Sequence, residues 1–331
     1  MRKVKVYVHR CEDLYPLYMN PENEALLSSF AEVVCGGAST VPLDHDALVK
    51  DMEGCEVILS NCGLGAKGEI TYEVLRDVKT VKLIVVGHTW RQFMDMDLDS
   101  LGIKLVEGSN VNTVSVAEWV ITASLMGIRR LHDFDRMMKT GSEWCEPGRK
   151  EYSGMMLNKK VGLIGFGRIG RYVSRIFDVL GAKVYVHDDY VDDSVLEDYP
   201  VERCSIDDLL SNCDIISMHL AMAPATQDFM NAARFKKVKD GAVFLNCARS
   251  AVCNEKDLIE ALKENRFNAY IDVFDIEPLP LDSEFRKLDN VVISPHMGGN
   301  SIDMYVGCAR EAIETIKDYA AGNPVIDRTY I

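Results

Sequence analysis

Hydrophobic and polar positions alternate with a period of two in "KVKVYV", Lys3 to Val8, which predicts a half-buried strand near the start of the chain. Helical spacing follows in "PENEALLSSFA". The runs "CEVILSN", "ITYEVLRDV", "VKLIVVG" and "GIKLVEG" then continue an alternation of short strands and helices to about residue 110. From Thr113, "TVSVAEWVITASLMGIRRLHDF" predicts one long amphipathic helix, and "GSEWCEPGRKEYSG" is a turn-rich connection after it. A second α/β series opens at Val161. Its later apolar runs, "CDIISMHL", "GAVFLN", "AYIDVF" and "NVVISP", predict buried parallel strands.

That second series opens with "VGLIGFGRIGRYVSRIFDVLGAKVYVHDD", in which Gly165, Gly167 and Gly170 sit between an apolar strand and an amphipathic helix. Arg168 and Ile169 lie inside the same turn. The spacing suits a dinucleotide: glycines let the backbone approach a pyrophosphate, and the helix N-terminus stabilises it. Asp188 closes the following strand, where ribose hydroxyls need an acceptor, and two acids without a following arginine favour NAD over NADP. "GLGAKG" (Gly63, Gly65, Gly68) imitates the pattern, but its second strand ends in "VVGHT" without an acid, so it reads as a plain connection.

Three side chains with complementary chemistry fall just past three of the later strands. Arg249 follows "GAVFLN", with its strand predicted over Ala242 to Leu245, Glu277 follows "AYIDVF" in "DIEPLP", and His296 follows "NVVISP". In an open parallel sheet all three gather at the carboxyl edge, where ligands bind. A guanidinium can fork onto a carboxylate, an imidazole titrates near neutral pH, and a neighbouring carboxylate can orient it and favour its protonated form. The set suits hydride transfer with a 2-oxo acid.

Composition narrows the partners. The 331 residues suggest two domains, and 47% hydrophobic residues with 8% aromatic fit an ordinary folded protein. A net charge of -14 repels nucleic acid and anionic membrane, so an acidic substrate needs locally placed cations. No continuous apolar stretch approaches the roughly 20 residues that span a bilayer, and the N-terminus alternates instead of showing a signal peptide's apolar region. The expectation is a cytoplasmic protein. Ten cysteines without a CxxC pair, and no helix with paired histidines, predict reduced core thiols and no metal site.

Together "VGLIGFGRIGR", "NCARSAVCNE", "IDVFDIEPLP" and "SPHMGGNS" resemble the D-isomer-specific 2-hydroxyacid dehydrogenase family. The likeness extends to "NVNTVSVAEWV", similar to that family's hinge and interdomain helix, and to "YVGCAREAIETIKDYAAGNPV", similar to its returning helix. The resemblance implies two Rossmann/flavodoxin-like domains with parallel sheets. The substrate domain would be discontinuous, residues 1–112 with 303–331, around an NAD-binding domain at 113–302. It implies that Arg249 binds the substrate carboxylate and polarises the carbonyl, that His296 is the acid/base, and that Glu277 pairs with His296. Asp272 would hold the nicotinamide carboxamide, with Cys247 and Ala248 beside the ring, and members usually form homodimers through the nucleotide domain.

Substrate carboxylates in the family meet backbone amides of a loop matching Ser60 to Leu64, which points to Asn61, Cys62 and Gly63. The chain departs from the family at "GHTWRQFM", where Trp90 and Arg91 stand in place of small residues and could shape a side-chain pocket. Ser250 and Ala251 replace a common glycine pair after the arginine. The reading is an NAD(H)-dependent oxidoreductase interconverting a 2-oxo acid and a D-(R)-2-hydroxy acid. Two alternatives use the same fold: an NAD-sensing corepressor-like binding module, or a dehydrogenase of another small anion such as formate or phosphite.

Overall fold

The computed structural model describes every residue except 1, 10–13, 37–42, 61–68, 88–92, 94–95, 109, 142–152 and 326–331. The chain divides into two compact units, one of residues 1–112 with 300–331 and one of 113–299. The second boundary lies three residues before the predicted one.

In the first unit, β1 (Val4–His9), β2 (Ala31–Cys35), β3 (Val57–Ser60), β4 (Leu83–Val86) and β5 (Lys104–Glu107) form a parallel sheet of order β2-β1-β3-β4-β5. The alternation that predicts β1 places Val4, Val6 and Val8 on one face, against the C-terminal helix Ile302–Ala321 through Met304, Cys308, Ala312 and Ile316. Tyr7 turns to the other face, among Leu48, Ile58, Val74 and Ile84. Buried Glu311 fastens that helix further, accepting the Asn110 backbone N–H at 3.2 Å and its Nδ2 at 2.6 Å. Strand β2 was not predicted. The helix before it ends at Phe30, and Ala31, counted as helical from the sequence, adopts extended backbone that starts the strand at once.

In the second unit, β6 (Lys160–Ile164), β7 (Lys183–His187), β8 (Val201–Arg203), β9 (Ile215–Met218), β10 (Val243–Asn246), β11 (Asn268–Ile271) and β12 (Val291–Ile293) are all parallel, in the order β12-β11-β10-β9-β6-β7-β8. Successive strands run outward one way from β6 and then the other way from β9. That reversal makes the β6/β9 crevice the expected ligand site. Both faces are covered, one by a cluster containing Phe235, Phe244, Leu258 and Phe267, the other by Val173, Phe177, Leu163 and Leu245.

Two expectations need correction. The long helix is two, Asn110–Arg129 and Leu131–Lys139, because Arg130 takes a left-handed φ of 51° and its guanidinium bonds Asp133 at 3.0 Å. The first of these has twenty residues and a mean hydropathy of 1.3 across its apolar window, so by length and composition it could span a membrane after all. Its Val116, Ala117, Val120 and Ala123 are spent instead in the core of the second unit.

Candidate active site

The glycine turn leaves β6 with its three glycines in three different situations. Gly165 has φ 97°, and a Cβ there would lie 2.8 Å from the His219 carbonyl carbon. Gly170 could not carry a Cβ either, since it would sit 2.8 Å from the Gly165 oxygen. Gly167 faces open space at the N-cap of helix Arg168–Val179, and no side chain caps that helix. A helix N-terminus favours an anion, and at Gly167 no side chain stands in the way of one. The turn fits a dinucleotide pyrophosphate on its own geometry.

Asp188, just past β7, accepts the Phe166 N–H at 2.7 Å through Oδ2, and the Tyr190 and Val191 N–H groups at 2.8 and 3.0 Å through Oδ1. It ties the glycine turn to the turn after β7. Arg203, at the end of β8, holds that second turn from outside. It donates to the Asp188 and Val191 carbonyls at 2.5 Å each and to Asp193 Oδ1 at 2.7 Å. "PVERC" carries no motif, so the sequence did not announce this clamp; only the β7–β8 pairing brings it here.

Beyond β10, buried Asn246 shapes the turn that carries the arginine: its Oδ1 accepts the Ala248 N–H and its Nδ2 donates to the Arg249 carbonyl, both at 3.1 Å. Arg249 is exposed, with Nη1 on the Ala248 carbonyl at 2.6 Å. The strand runs one residue later than predicted, through Asn246. Neither Ser250 nor Ala251 has a left-handed φ, so the turn does not need the glycines they replace. Cys247 is buried, and burial pushes its thiol up, with Asp272 adding to the effect.

His296 Nδ1 and Glu277 Oε2 are 2.7 Å apart, with side chains 42% and 37% exposed. Partial burial would raise the Glu277 carboxyl. The bond from His296, the Phe274 N–H at 2.9 Å and the charges of His296 and Arg249 outweigh it and hold the group below its ordinary value. Arg249 therefore acts electrostatically on the pair. A cleft of ≈ 630 Å³ flanks the two side chains, with Phe274, Leu279, Ile293 and Pro295 as apolar walls.

His296 adopts φ 56°, a conformation that persists in a non-glycine residue only when its surroundings impose it. Asp272 supplies the constraint. Fully buried beyond β11, its Oδ1 accepts the Ser294 hydroxyl at 2.5 Å and the Met297 N–H at 2.8 Å, and its Oδ2 accepts the Gly298 N–H at 2.7 Å. A Cβ on Gly298 would come within 3.0 Å of that oxygen. Asp272 thus fastens both sides of His296, a task that sequence reasoning did not assign to it. The candidates Asn61, Cys62, Gly63, Trp90 and Arg91 lie outside the described residues, as does the Gly63–Gly68 turn.

Turn, sheet order and acceptor define a dinucleotide-binding α/β protein. Residues 121–298, more than half of the chain, match the family model of the D-isomer specific 2-hydroxyacid dehydrogenase NAD binding domain. The D-3-phosphoglycerate dehydrogenase of Haemophilus influenzae is 33% identical over 271 residues, 79% of this chain and 63% of that protein. The chain spans about half to two thirds of the length of such curated relatives. Among solved structures, D-lactate dehydrogenase with NAD+ from Lactobacillus jensenii superposes with a TM-score of 0.75 at 21% identity, over 99% of this chain and all (100%) of that one. Apo D-mandelate dehydrogenase of Rhodotorula graminis gives 0.79 at 19%, over 99% and 98%. At such identities the likeness is one of fold.

The chain belongs to the D-isomer specific 2-hydroxyacid dehydrogenase family, and its second unit contains that family's NAD binding domain.

Proposed function

We propose that the protein is an NAD(H)-dependent oxidoreductase interconverting a 2-oxo acid and the D-(R)-2-hydroxy acid. The observation that carries the proposal is the Glu277–His296 contact, at the same carboxyl edge as Arg249 and the glycine turn. When bound, NADH supplies the hydride that reduces the carbonyl carbon. Arg249 forks onto the substrate carboxylate, with one N–H leaning on the carbonyl oxygen to stabilise its developing charge. His296 gives that oxygen its proton, Glu277 holds the imidazole by Nδ1, and Asp272 keeps the loop in place. Oxidation runs the same steps backwards.

In this reading Gly165, Gly167, Arg168, Ile169 and Gly170 receive the pyrophosphate, Asp188 the ribose, and Cys247, Ala248 and Asp272 border the nicotinamide. Carboxylate binding by Asn61, Cys62 and Gly63 and tuning of side-chain preference by Trp90 and Arg91 belong to the same proposal. A homodimer through the second unit belongs to the same proposal, supported by Leu131 and Met138, 60% and 57% exposed on one short helix. A cytoplasmic setting belongs to it too, and the described cysteines are all free thiols.

The test is loss of reduced-nicotinamide absorbance with a panel of 2-oxo acids varied in side-chain size and charge, using NADH and NADPH in parallel. Turnover of at least one acid, faster with NADH, is expected. Tight NADH binding with no acid consumed would make the chain a nucleotide-sensing module instead.

A further inference from the structure

Every residue lining the ≈ 630 Å³ cleft beside Glu277 and His296 belongs to the stretch 274–296 of the second unit. Among the described residues neither Arg249 nor the glycine turn lines it. Its wall includes Ile293 of β12, the edge strand, whereas the β6/β9 crevice lies further in, beyond β11 and β10. The substrate carbonyl of the dehydrogenase reading meets His296 through Nε2, because Nδ1 is taken by Glu277. The cleft is therefore a separate place from the one that Arg249 and the cofactor turn define.

Its walls have the chemistry of a small-molecule site. Phe274 is buried, Leu279 and Ile293 are half-buried against the same core cluster, and the volume falls inside the range of about 300–1,000 Å³ usual for such sites. One cation stands in the lining. Arg286 is exposed, donates Nε to the Pro280 carbonyl at 2.9 Å and Nη2 to the Leu279 carbonyl at 3.0 Å, and has no carboxylate partner among the described residues. Two carbonyls fix the guanidinium without cancelling its charge. A guanidinium held in one orientation at the edge of an apolar cavity is complementary to a carboxylate on an apolar body. A dianion such as a phosphate fits less well, because Glu277 sets a negative charge in the same lining.

We propose that this cleft is a second binding site, for an apolar monocarboxylate whose carboxylate meets Arg286 and whose body packs against Glu277 and His296. Its effect on the pair follows from water. With side chains 37% and 42% exposed, the Glu277–His296 contact competes with solvent. An apolar body over it excludes that water, strengthens the bond that orients the imidazole and raises turnover without touching the substrate. This regulatory step rests on the dehydrogenase reading, whereas the binding itself does not.

The experiment uses 4-methylpentanoate, an apolar carboxylate without a 2-oxo group. Its binding to the NADH-saturated parent, Arg286→Gln and Arg249→Lys is measured by calorimetry, beside kcat and KM for the best 2-oxo acid. Arg286→Gln keeps a donor for the loop carbonyls and removes the charge. We expect saturable binding to the parent, unchanged in Arg249→Lys and about tenfold or more weaker in Arg286→Gln. Saturating 4-methylpentanoate should raise the parent's kcat about threefold and leave KM within about twofold. No saturable binding to the parent overturns the proposal. So does binding that competes with the 2-oxo acid, or that is lost in Arg249→Lys and kept in Arg286→Gln, since the carboxylate then sits in the substrate's place. Binding through Arg286 with an unmoved kcat overturns the regulatory step. If Arg286→Gln does not fold, Leu279→Glu decides by setting a second negative charge in the wall: binding kept overturns the site and binding lost supports it. A parent that turns over no 2-oxo acid sinks the dehydrogenase reading, and calorimetry still decides the site.

Discussion

The Glu277–His296 and Glu69–His9 pairs share a contact of 2.7 Å, yet the side chains of the first are 37% and 42% exposed and those of the second 6% and 0%. Both carboxyls are held below their ordinary range against a burial effect that would raise them. For Glu69 the bond from His9, the Leu43 N–H and the His9 charge do this; for Glu277 it is His296, the Phe274 N–H and the charges of His296 and Arg249. Exposure separates their uses. An imidazole that must exchange a proton with a substrate has to reach it, and the His296 side chain is open to solvent. An enclosed imidazole can only hold other groups in place, and His9 bridges Ser60 and Glu69, its Nδ1 3.2 Å from the Ser60 Oγ.

The largest effect should come from exchanging the burdens of the two histidines. His296→Asn removes the proton donor while keeping a polar side chain, and positioned acid–base groups contribute about 10² to 10⁴ in rate. We expect kcat to fall by about that factor with Tm nearly unchanged. His9→Leu should do the reverse, because breaking a buried pair costs about 3 to 5 kcal/mol of stability. Steady-state kinetics beside thermal melts check both. If His296→Asn melts early and His9→Leu loses kcat, the assignment of chemistry to the exposed pair is wrong.

Arg249→Lys comes next. The guanidinium is exposed and no carboxylate bonds it among the described residues, which leaves its fork for a ligand. Lysine keeps the charge and loses the planar geometry. Losing one partner of a desolvated charge pair costs about 2 to 5 kcal/mol, so kcat/KM should fall on the order of a hundredfold or more while NADH affinity holds. Turnover within about threefold of the parent would make the arginine structural.

The two pairs also differ in how they could be read from sequence. Glu277 and His296 each follow an apolar run directly, so strand prediction alone puts them on one edge, and the register error at β10 did not matter because Arg249 still came after the strand. His9 and Ser60 end strands too, but their partner Glu69 precedes helix Tyr72–Val78 without any motif, and 60 positions separate it from His9. Only the folded sheet reveals that contact. Strand β2 was lost to helix-like spacing that continued one residue too far, and the break at Arg130 was hidden because apolar periodicity runs through it. The fastening of the His296 loop by Asp272 was invisible for another reason. A carboxylate at a strand end looks the same whether it faces a ligand or its own backbone.

Asp188 is the intermediate case, half-buried and already accepting three backbone N–H groups. Asp188→Ala removes the acceptor proposed for the ribose and unfastens the glycine turn. Hydrogen bonds to a charged group contribute about 1.5 to 3 kcal/mol, so KM for NADH should rise roughly tenfold. The preference for NADH over NADPH should shrink with it. Equal efficiency with both cofactors in the unmodified protein would defeat the assignment.

Glu277→Gln should have the smallest effect on stability and a distinct one on rate. Because the folded value of Glu277 is depressed, its stabilising contribution is present above the ordinary carboxylate range and is lost as pH falls through the folded value. The pair is more than a third exposed, and solvent-screened pairs contribute only about 0 to 1 kcal/mol, so the acid melting curve should scarcely move. The rate depends on a different quantity, the protonated imidazole available to the carbonyl oxygen. Glu277 orients that imidazole through Nδ1, so without the carboxylate reduction should slow on the order of tenfold or more across the pH range. Reduction rate against pH, measured beside acid unfolding for both proteins, separates the two. An unmoved rate profile with a displaced acid melt would mean that Glu277 supports the fold as Glu69 does, and exposure would no longer distinguish the two pairs.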